Sequence, residues 1–191
     1  IDYLPLKGAV LRDLWPEPWM RTCGDLDVLV RKDDLERAID AAGTVGFGLP
    51  SRSTHVVSLM FANGEHTELH HTLIEESIDR AVSDVLARVW EVARPCGGSH
   101  RHELPGEWSR LYHIAHAAKH FVHGGCGIRP SADLFLLDRA DPAAAERTEL
   151  LGESGLTAFA SALRDLTAVW WGGAPHAALT SDMETYLLGA G

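Results

Sequence analysis

The spacing of apolar residues changes partway along this 191-residue chain. In several short segments of the first half, apolar residues alternate with polar ones, which is typical of half-buried strands. From residue 107 onward nearly every segment has helical spacing. This change predicts an α+β fold, in which a small mixed sheet flanked by helices is followed by a C-terminal helical bundle.

A stretch rich in glycine and proline, from Arg94 to Pro105, separates the two halves. We therefore predict an α/β core over residues 1–93 and a helical region over residues 106–191 that packs on the core. Packing of this kind would form a cleft, and clefts commonly hold ligands.

Local signals predict the first elements of the chain. Tyr3 to Leu6 has the pattern of a short strand, and Lys7-Gly8 then opens an amphipathic helix that stops before Pro16. The alternation and branched apolar residues of Asp25 to Val30 predict a half-buried strand.

The next helix and a hairpin have recognisable end signals. Asp33-Asp34 offers an N-cap to a helix over Leu35 to Val45. Asn63-Gly64 lies between two apolar runs, His55 to Ala62 and Glu65 to Ile74, and this pair readily adopts the positive φ angles of a two-residue hairpin turn. Later helices are predicted over residues 77–92, 107–123, 131–139, 142–152, 156–171 and 175–188.

The charge balance bears on the partners of the chain. It has 17 basic and 27 acidic side chains and a net charge of −10, which opposes attraction to a nucleic-acid backbone. Its apolar stretches fall far below the roughly 18 residues of a membrane span, and none follows a basic segment as in a signal peptide. Three widely spaced cysteines form neither a CxxC metal pair nor a disulfide framework. We therefore expect a cytoplasmic protein with no membrane partner, and nucleic acid is disfavoured.

Two aspartates, Asp25 and Asp27, lie two positions apart on the predicted strand. They share one face at roughly 6.5 to 7 Å along the chain, close enough to ligate one magnesium ion or to bridge two. A third carboxylate completes a site suited to phosphoryl chemistry, and Glu68 on a nearby strand can supply it. The alternative is that both aspartates occupy the solvent face, where alternation alone places polar residues.

These carboxylates belong to an ordered set of motifs. Leu6-Lys7-Gly8 precedes a helix, Arg21 precedes Gly24-Asp25-Leu26-Asp27-Val28-Leu29-Val30, and Thr67-Glu68-Leu69-His70 follows on a later strand. In this set the chain resembles the nucleotidyltransferase-fold superfamily. More closely, it resembles the uncharacterised bacterial nucleotidyltransferases with an LKG opening, an RxxGDhDhLV strand and an ELH strand. The resemblance covers roughly residues 6–73 and continues more loosely over residues 111–137.

The resemblance implies an activity and a metal. It implies that Asp25 and Asp27 bind a divalent ion, Mg²⁺ or Mn²⁺, and that Glu68 is a third acidic position that acts on the attacking hydroxyl. The implied reaction moves a nucleotidyl group from a nucleoside triphosphate such as ATP to an acceptor hydroxyl and releases pyrophosphate. The acceptor is a small molecule or a protein side chain, with an RNA end the least favoured because the chain is acidic. His70 of the ELH strand is a further candidate for substrate binding.

The expected phosphate-binding residues depart from the superfamily pattern. The superfamily usually has a Gly-Ser pair at the start of its first helix, whereas this chain has Lys7-Gly8. The Lys7 ammonium and the backbone N–H groups of the helix N-terminus are expected to bind the triphosphate, and Arg21 suits a bidentate contact with phosphate. The alternatives are a surface lysine at position 7 and an ion pair between Arg21 and one of the aspartates.

A second set of polar residues lies on the predicted later helices. His116, Lys119 and His120 share one helix, and Arg129 and Asp133 follow on the next. They resemble an HxxKH and then RxxxD pattern of the family, and they are candidates to line the cleft and bind the base, the ribose or the second substrate. An equally ordinary interpretation is a hydrogen-bonded polar seam between helices.

Two other functions fit parts of the sequence. His66, Glu68 and His70 alternate on one strand face, and with His116 and His120 they offer ligands to zinc in a hydrolase. No HExxH motif accompanies them, however. A regulatory module that binds nucleotide without turnover would fit the missing serine of the Gly-Ser pair.

Overall fold

The computed structural model describes residues 1–48 and 50–189. The chain divides into two compact units. The first unit comprises Ile1–Glu75 and Leu86–Pro105, and the second comprises Glu76–Val85 and Gly106–Gly191. The domain bounds inferred from the sequence, and the cleft expected beside the core, stay predictions.

The first unit contains a five-stranded mixed sheet, and its strands are β1 Tyr3–Pro5, β2 Leu26–Val30, β3 Ser51–Arg52, β4 Val56–Met60 and β5 His66–His70. Their order across the sheet is β1-β2-β5-β4-β3. The central strands β2 and β5 are parallel, and all other neighbours in this sheet are antiparallel. This sheet and the helices after it confirm the predicted α+β fold with a mixed sheet and C-terminal helices.

Helix α2, Leu35–Thr44, packs on one face of this sheet. Alternation along the central strands turns Val57, Leu59 and Leu69 to one face, where they form a buried cluster. One side of α2, which includes Ile39, packs against that cluster. The opposite face is therefore the one available to polar residues such as Glu68. The helices up to residue 92 are α1 Gly8–Leu11, α2 Leu35–Thr44, α3 Arg80–Leu86 and α4 Val89–Val92.

The expected N-cap position of α2 is confirmed at Asp34, but the expected side-chain capping bond is absent. Asp34 precedes α2, but its side chain makes no cap hydrogen bond and instead accepts one from Arg37 at 2.5 Å. The reason is the backbone, since Asp34 has helical angles, φ −95° and ψ −3°, whereas capping residues are usually extended. Lys32–Asp34 forms a 3₁₀ turn that leads directly into α2.

The hairpin is confirmed, but its loop is longer than the predicted two residues. Phe61 donates its backbone N–H to the Glu65 carbonyl at 2.8 Å, so residues 62–64 form the loop. Gly64 has a φ of 88°, while Asn63 is not among the described residues with positive φ. The Asn63 side chain instead accepts the Glu65 N–H at 3.0 Å. A three-residue loop needs positive φ at one position only, which explains why glycine alone supplies it.

Two short strands and six helices complete the described chain. Two predicted helices are split: residues 77–92 form α3 and α4, and residues 142–152 form α7 and α8 around the extended Arg147. In the part of the chain that the structure describes, no helix combines the length and apolar character needed to cross a membrane. The remaining elements are β6 Arg94–Pro95, β7 His102–Glu103, α5 Gly106–Val122, α6 Arg129–Ala140, α7 Pro142–Glu146, α8 Glu149–Glu153, α9 Thr157–Gly172 and α10 Ala178–Gly189.

Candidate functional site

The parallel pairing of β2 and β5 brings three polar side chains together, and these form the first of two groups. Asp27 on β2 lies directly opposite Glu68 on β5, and His70 follows two residues later on the same face. One ligand atom from each of these three side chains lies within 4.8 Å of the others. These residues could therefore contact a single metal ion.

A second group lies beside the first and shares Glu68 with it. Asp25, His66 and Glu68 also place their ligand atoms within 4.8 Å of one another. Each of the two predicted aspartates therefore lies close to Glu68 and to one histidine. From the sequence, His66 is a candidate only in the zinc alternative, although the HxExH alternation of β5 is the signal that places it on this face.

Asp27 is the most buried carboxylate of the two groups, with 3% of its residue surface exposed. Its Oδ1 accepts hydrogen bonds from the Lys7 ammonium and from His70 Nε2, both at 2.8 Å. Burial alone would raise the pKa of Asp27, but the His70 hydrogen bond and the Lys7 charge outweigh it and lower the pKa below its usual value. The solvent-face alternative is therefore wrong for Asp27.

Lys7 is held at this carboxylate rather than projecting freely from the surface. Its side chain is 22% exposed and its ammonium pairs with Asp27. Among the described residues other than glycine, Lys7 is the one with positive φ, at φ 46° and ψ −119°. Such a backbone conformation costs about 1 to 3 kcal/mol and is typical of functional sites. The structure therefore favours a site lysine over a surface lysine.

The backbone donors expected at the start of the first helix are already engaged. The helix α1 spans only Gly8–Leu11, and the N–H groups of Ala9 and Val10 donate to the carbonyls of Leu6 and Lys7, each at 3.1 Å. Leu11 N–H donates to the Lys7 carbonyl as well. A phosphate near α1 would therefore depend chiefly on side chains.

Gly8 has a steric role at this place. A Cβ on Gly8 would lie 2.6 Å from Cys23 Sγ and 3.5 Å from an Arg21 guanidinium nitrogen. Cys23 in turn donates to the Asp25 carbonyl at 2.6 Å, and Arg21 donates to the Thr22 carbonyl at 2.8 Å. The missing side chain of Gly8 thus lets the loop before Asp25 close against α1. Sequence reasoning missed Cys23, which no motif singled out.

The remaining candidates lie in the second unit. The Nε2 atoms of His116 and His120 are 3.2 Å apart on α5, and Lys119 lies beside them on the same helix. Arg129 is exposed at the start of α6, whereas Asp133 is 2% exposed. Their binding roles stay predictions.

A polar seam exists within this second unit. His113 of α5 donates to the Pro130 carbonyl at 2.8 Å. On α6 the Ser131 hydroxyl bonds to Thr167 at 3.0 Å and accepts from Trp171 at 2.9 Å. These bonds involve His113 and Ser131, and the seam interpretation of the five candidate residues on α5 and α6 stays a prediction.

The donor atoms of the two groups suit a divalent metal ion. Carboxylate oxygens are ligands for Mg²⁺ and Mn²⁺, and imidazole nitrogen suits transition metals. Among the described residues, neither group includes His116 or His120, which the zinc alternative had added. The chemistry of the donor set thus fits an ion held by the carboxylates, with a histidine beside each aspartate.

Comparison with known families adds an independent finding. The sequence model of a family described as uncharacterised nucleotidyltransferase matches residues 1–172. The matched span includes both groups around Glu68 and all of the candidate residues on α5 and α6. No curated protein matches the chain.

Proposed function

This chain belongs to the family of uncharacterised nucleotidyltransferases, and on that premise we propose a metal-dependent transfer. The donor is a nucleoside triphosphate, the acceptor is a hydroxyl, and pyrophosphate is released. The proposal depends on one observation: ligand atoms of Asp25 and of Asp27 each lie within 4.8 Å of a Glu68 oxygen, in two adjacent groups that share Glu68. Carboxylates arranged in this way suit the neutralisation of phosphate charge through bound ions.

The metal site is formed by the three carboxylates. Asp25, Asp27 and Glu68 would hold Mg²⁺ or Mn²⁺, with His66 and His70 beside them. When bound, a divalent ion would orient the triphosphate and offset the charge that develops on its oxygens. The chain supplies the rigid support, because the paired strands β2 and β5 hold Asp27 opposite Glu68.

Glu68 is the proposed general base. The acceptor oxygen attacks the α-phosphorus, the bond from that phosphorus to the bridging oxygen of the β-phosphate breaks, and pyrophosphate leaves. The proton of the acceptor hydroxyl passes to Glu68. A carboxylate has two oxygens with several lone pairs, so Glu68 can contact an ion and still accept a proton.

Cationic side chains near this site are proposed to bind the triphosphate. Lys7 offers an ammonium next to Asp27, and Arg21 places its guanidinium beside Gly8. Roles for His70, and for His116, Lys119, His120, Arg129 and Asp133, in binding the base, ribose or acceptor are part of the same proposal. The net charge of −10 favours a small-molecule or protein acceptor over a nucleic acid.

The experiment that tests this function is calorimetric titration with ATP, GTP, CTP and UTP, each with and without Mg²⁺ or Mn²⁺. The variant is Asp25→Asn, because Asp25 is partly exposed and its replacement disturbs the fold little. The matched control is Asp40→Asn, which changes an exposed aspartate on α2. We expect metal-dependent binding of a triphosphate by the wild type and the control, and its loss in Asp25→Asn.

Two results would contradict the proposal in different ways. No triphosphate binding by folded wild-type protein would refute it. Metal-dependent binding of a triphosphate that releases no pyrophosphate in the presence of any hydroxyl acceptor would instead favour the module that binds nucleotide without turnover.

A further inference from the structure

The two groups that share Glu68 differ in whether their aspartate is already paired with a cationic side chain. Asp27 Oδ1 accepts from both Lys7 and His70 at 2.8 Å. Across residues 1–48 and 50–189, the Asp25 side chain has neither a hydrogen-bond partner nor an ion-pair partner. An ion that approaches Asp25 therefore meets an unpaired carboxylate, whereas an ion at Asp27 must compete with an ammonium.

The two histidines differ in the same way. His70 Nε2 donates its proton to Asp27, so that nitrogen has no lone pair to offer in this arrangement. The His66 ring has no hydrogen-bond partner within the described part of the chain. One of its nitrogens nevertheless lies within 4.8 Å of ligand oxygens of Asp25 and Glu68. His66 is thus the imidazole available to an ion.

An imidazole ligand changes which ion a carboxylate site prefers. Mg²⁺ takes oxygen ligands almost exclusively and keeps several of its waters. Mn²⁺ and the later first-row divalent ions accept imidazole nitrogen more readily than Mg²⁺ does. Among these first-row ions, affinity generally rises from Mn²⁺ to Cu²⁺, which is the Irving–Williams order. A site with two carboxylates and one available imidazole therefore discriminates in favour of Mn²⁺.

We propose that His66 is a metal ligand together with Asp25 and Glu68, and that it makes this position select Mn²⁺ over Mg²⁺. The proposal rests on the proposed function, in that this face of the sheet binds a divalent ion. It adds a residue that determines which metal is used. It also distinguishes the Asp25 position, which receives the selective ion, from the Asp27 position.

The test measures Mn²⁺ binding directly by electron paramagnetic resonance, since the signal of hydrated Mn²⁺ falls as the ion binds. Mg²⁺ affinity follows from its displacement of Mn²⁺ and from calorimetry. The variants are His66→Ala, which removes the nitrogen ligand, and His66→Asp, which replaces it with oxygen. The control is His123→Ala, which removes an exposed histidine of the second unit.

Loss of a residue that merely supports a metal ligand typically weakens binding about 10- to 100-fold. We therefore expect His66→Ala to raise the Mn²⁺ Kd at least about tenfold and to leave the Mg²⁺ Kd nearly unchanged. His66→Asp should bind Mg²⁺ more tightly than His66→Ala does and should lose the preference for Mn²⁺. His123→Ala should match the wild type.

The outcomes separate this inference from the proposed function. If the wild type binds Mn²⁺ and His66→Ala binds it equally well, His66 is not a ligand and the inference is overturned while the metal site stands. Equal losses of Mn²⁺ and Mg²⁺ affinity in His66→Ala would overturn the selectivity. If the folded wild type binds neither ion, the metal-dependent function itself fails.

Discussion

Replacement of Lys7 by methionine tests whether the buried Asp27 carboxylate depends on its ion pair. Methionine keeps a long side chain and the same backbone constraint, so the change removes mainly the charge. Loss of one partner from a fully buried ion pair costs about 3 to 5 kcal/mol. Lys7 keeps 22% exposure, and His70 still donates to Asp27. We therefore expect Lys7→Met to lower the free energy of unfolding by about 2 kcal/mol.

The assay is urea unfolding at pH 7 in the presence of EDTA, followed by circular dichroism. Lys32→Met, which changes an exposed lysine of the same unit, is the matched control. The control should lie within about 0.5 kcal/mol of the wild type, as surface substitutions usually do. If Lys7→Met is no less stable than the control, the ion pair does not stabilise the buried carboxylate.

A second variant at the same position separates charge from backbone strain. Lys7→Gly removes the same ammonium, but glycine adopts positive φ without a Cβ clash. Relief of strain is worth about 1 to 3 kcal/mol, which exceeds the roughly 0.4 to 1 kcal/mol that glycine costs through the unfolded chain. Lys7→Gly should therefore be more stable than Lys7→Met, and the reverse order would show that the positive φ is not strained.

Three further predictions concern packing, chemistry and thiol reactivity. Gly8→Ala should destabilise the protein by about 1 kcal/mol because its Cβ would lie 2.6 Å from Cys23 Sγ. In thermal denaturation, the double variant Gly8→Ala/Cys23→Ala should recover most of that loss of stability. Additive losses in the double variant would argue against the clash. Glu68→Gln should slow pyrophosphate release about 10²- to 10⁴-fold if Glu68 is the base, and an unchanged rate would exclude that role. Burial raises the pKa of Cys126 to about 11, so iodoacetamide should modify it slowly at pH 8 and much faster as the pH approaches 11, measured by peptide mass spectrometry. A rate at Cys126 that is already high at pH 8 would contradict the raised pKa.

The local elements were largely readable from the sequence. The alternation of Asp25 to Val30 predicted β2, the apolar runs around Asn63-Gly64 predicted the β4–β5 hairpin, and helical spacing predicted α2. These predictions depend on the period of side chains along a strand or helix, which is a local property. Periodicity does not predict details that depend on the backbone angles of single residues. One such detail is the absence of a side-chain capping bond at Asp34.

Local periodicity alone indicates which side chains can share a face: Asp25 with Asp27 on one predicted strand, and His66, Glu68 and His70 on another. How these faces meet depends on the tertiary fold. The parallel pairing of β2 and β5 sets Asp27 opposite Glu68, and the fold buries Asp27 against the Lys7 ammonium. Packing across the whole sheet sets the register of distant strands and the burial of a carboxylate. Local periodicity shows which side chains share a face, but it does not show which strand pairs alongside.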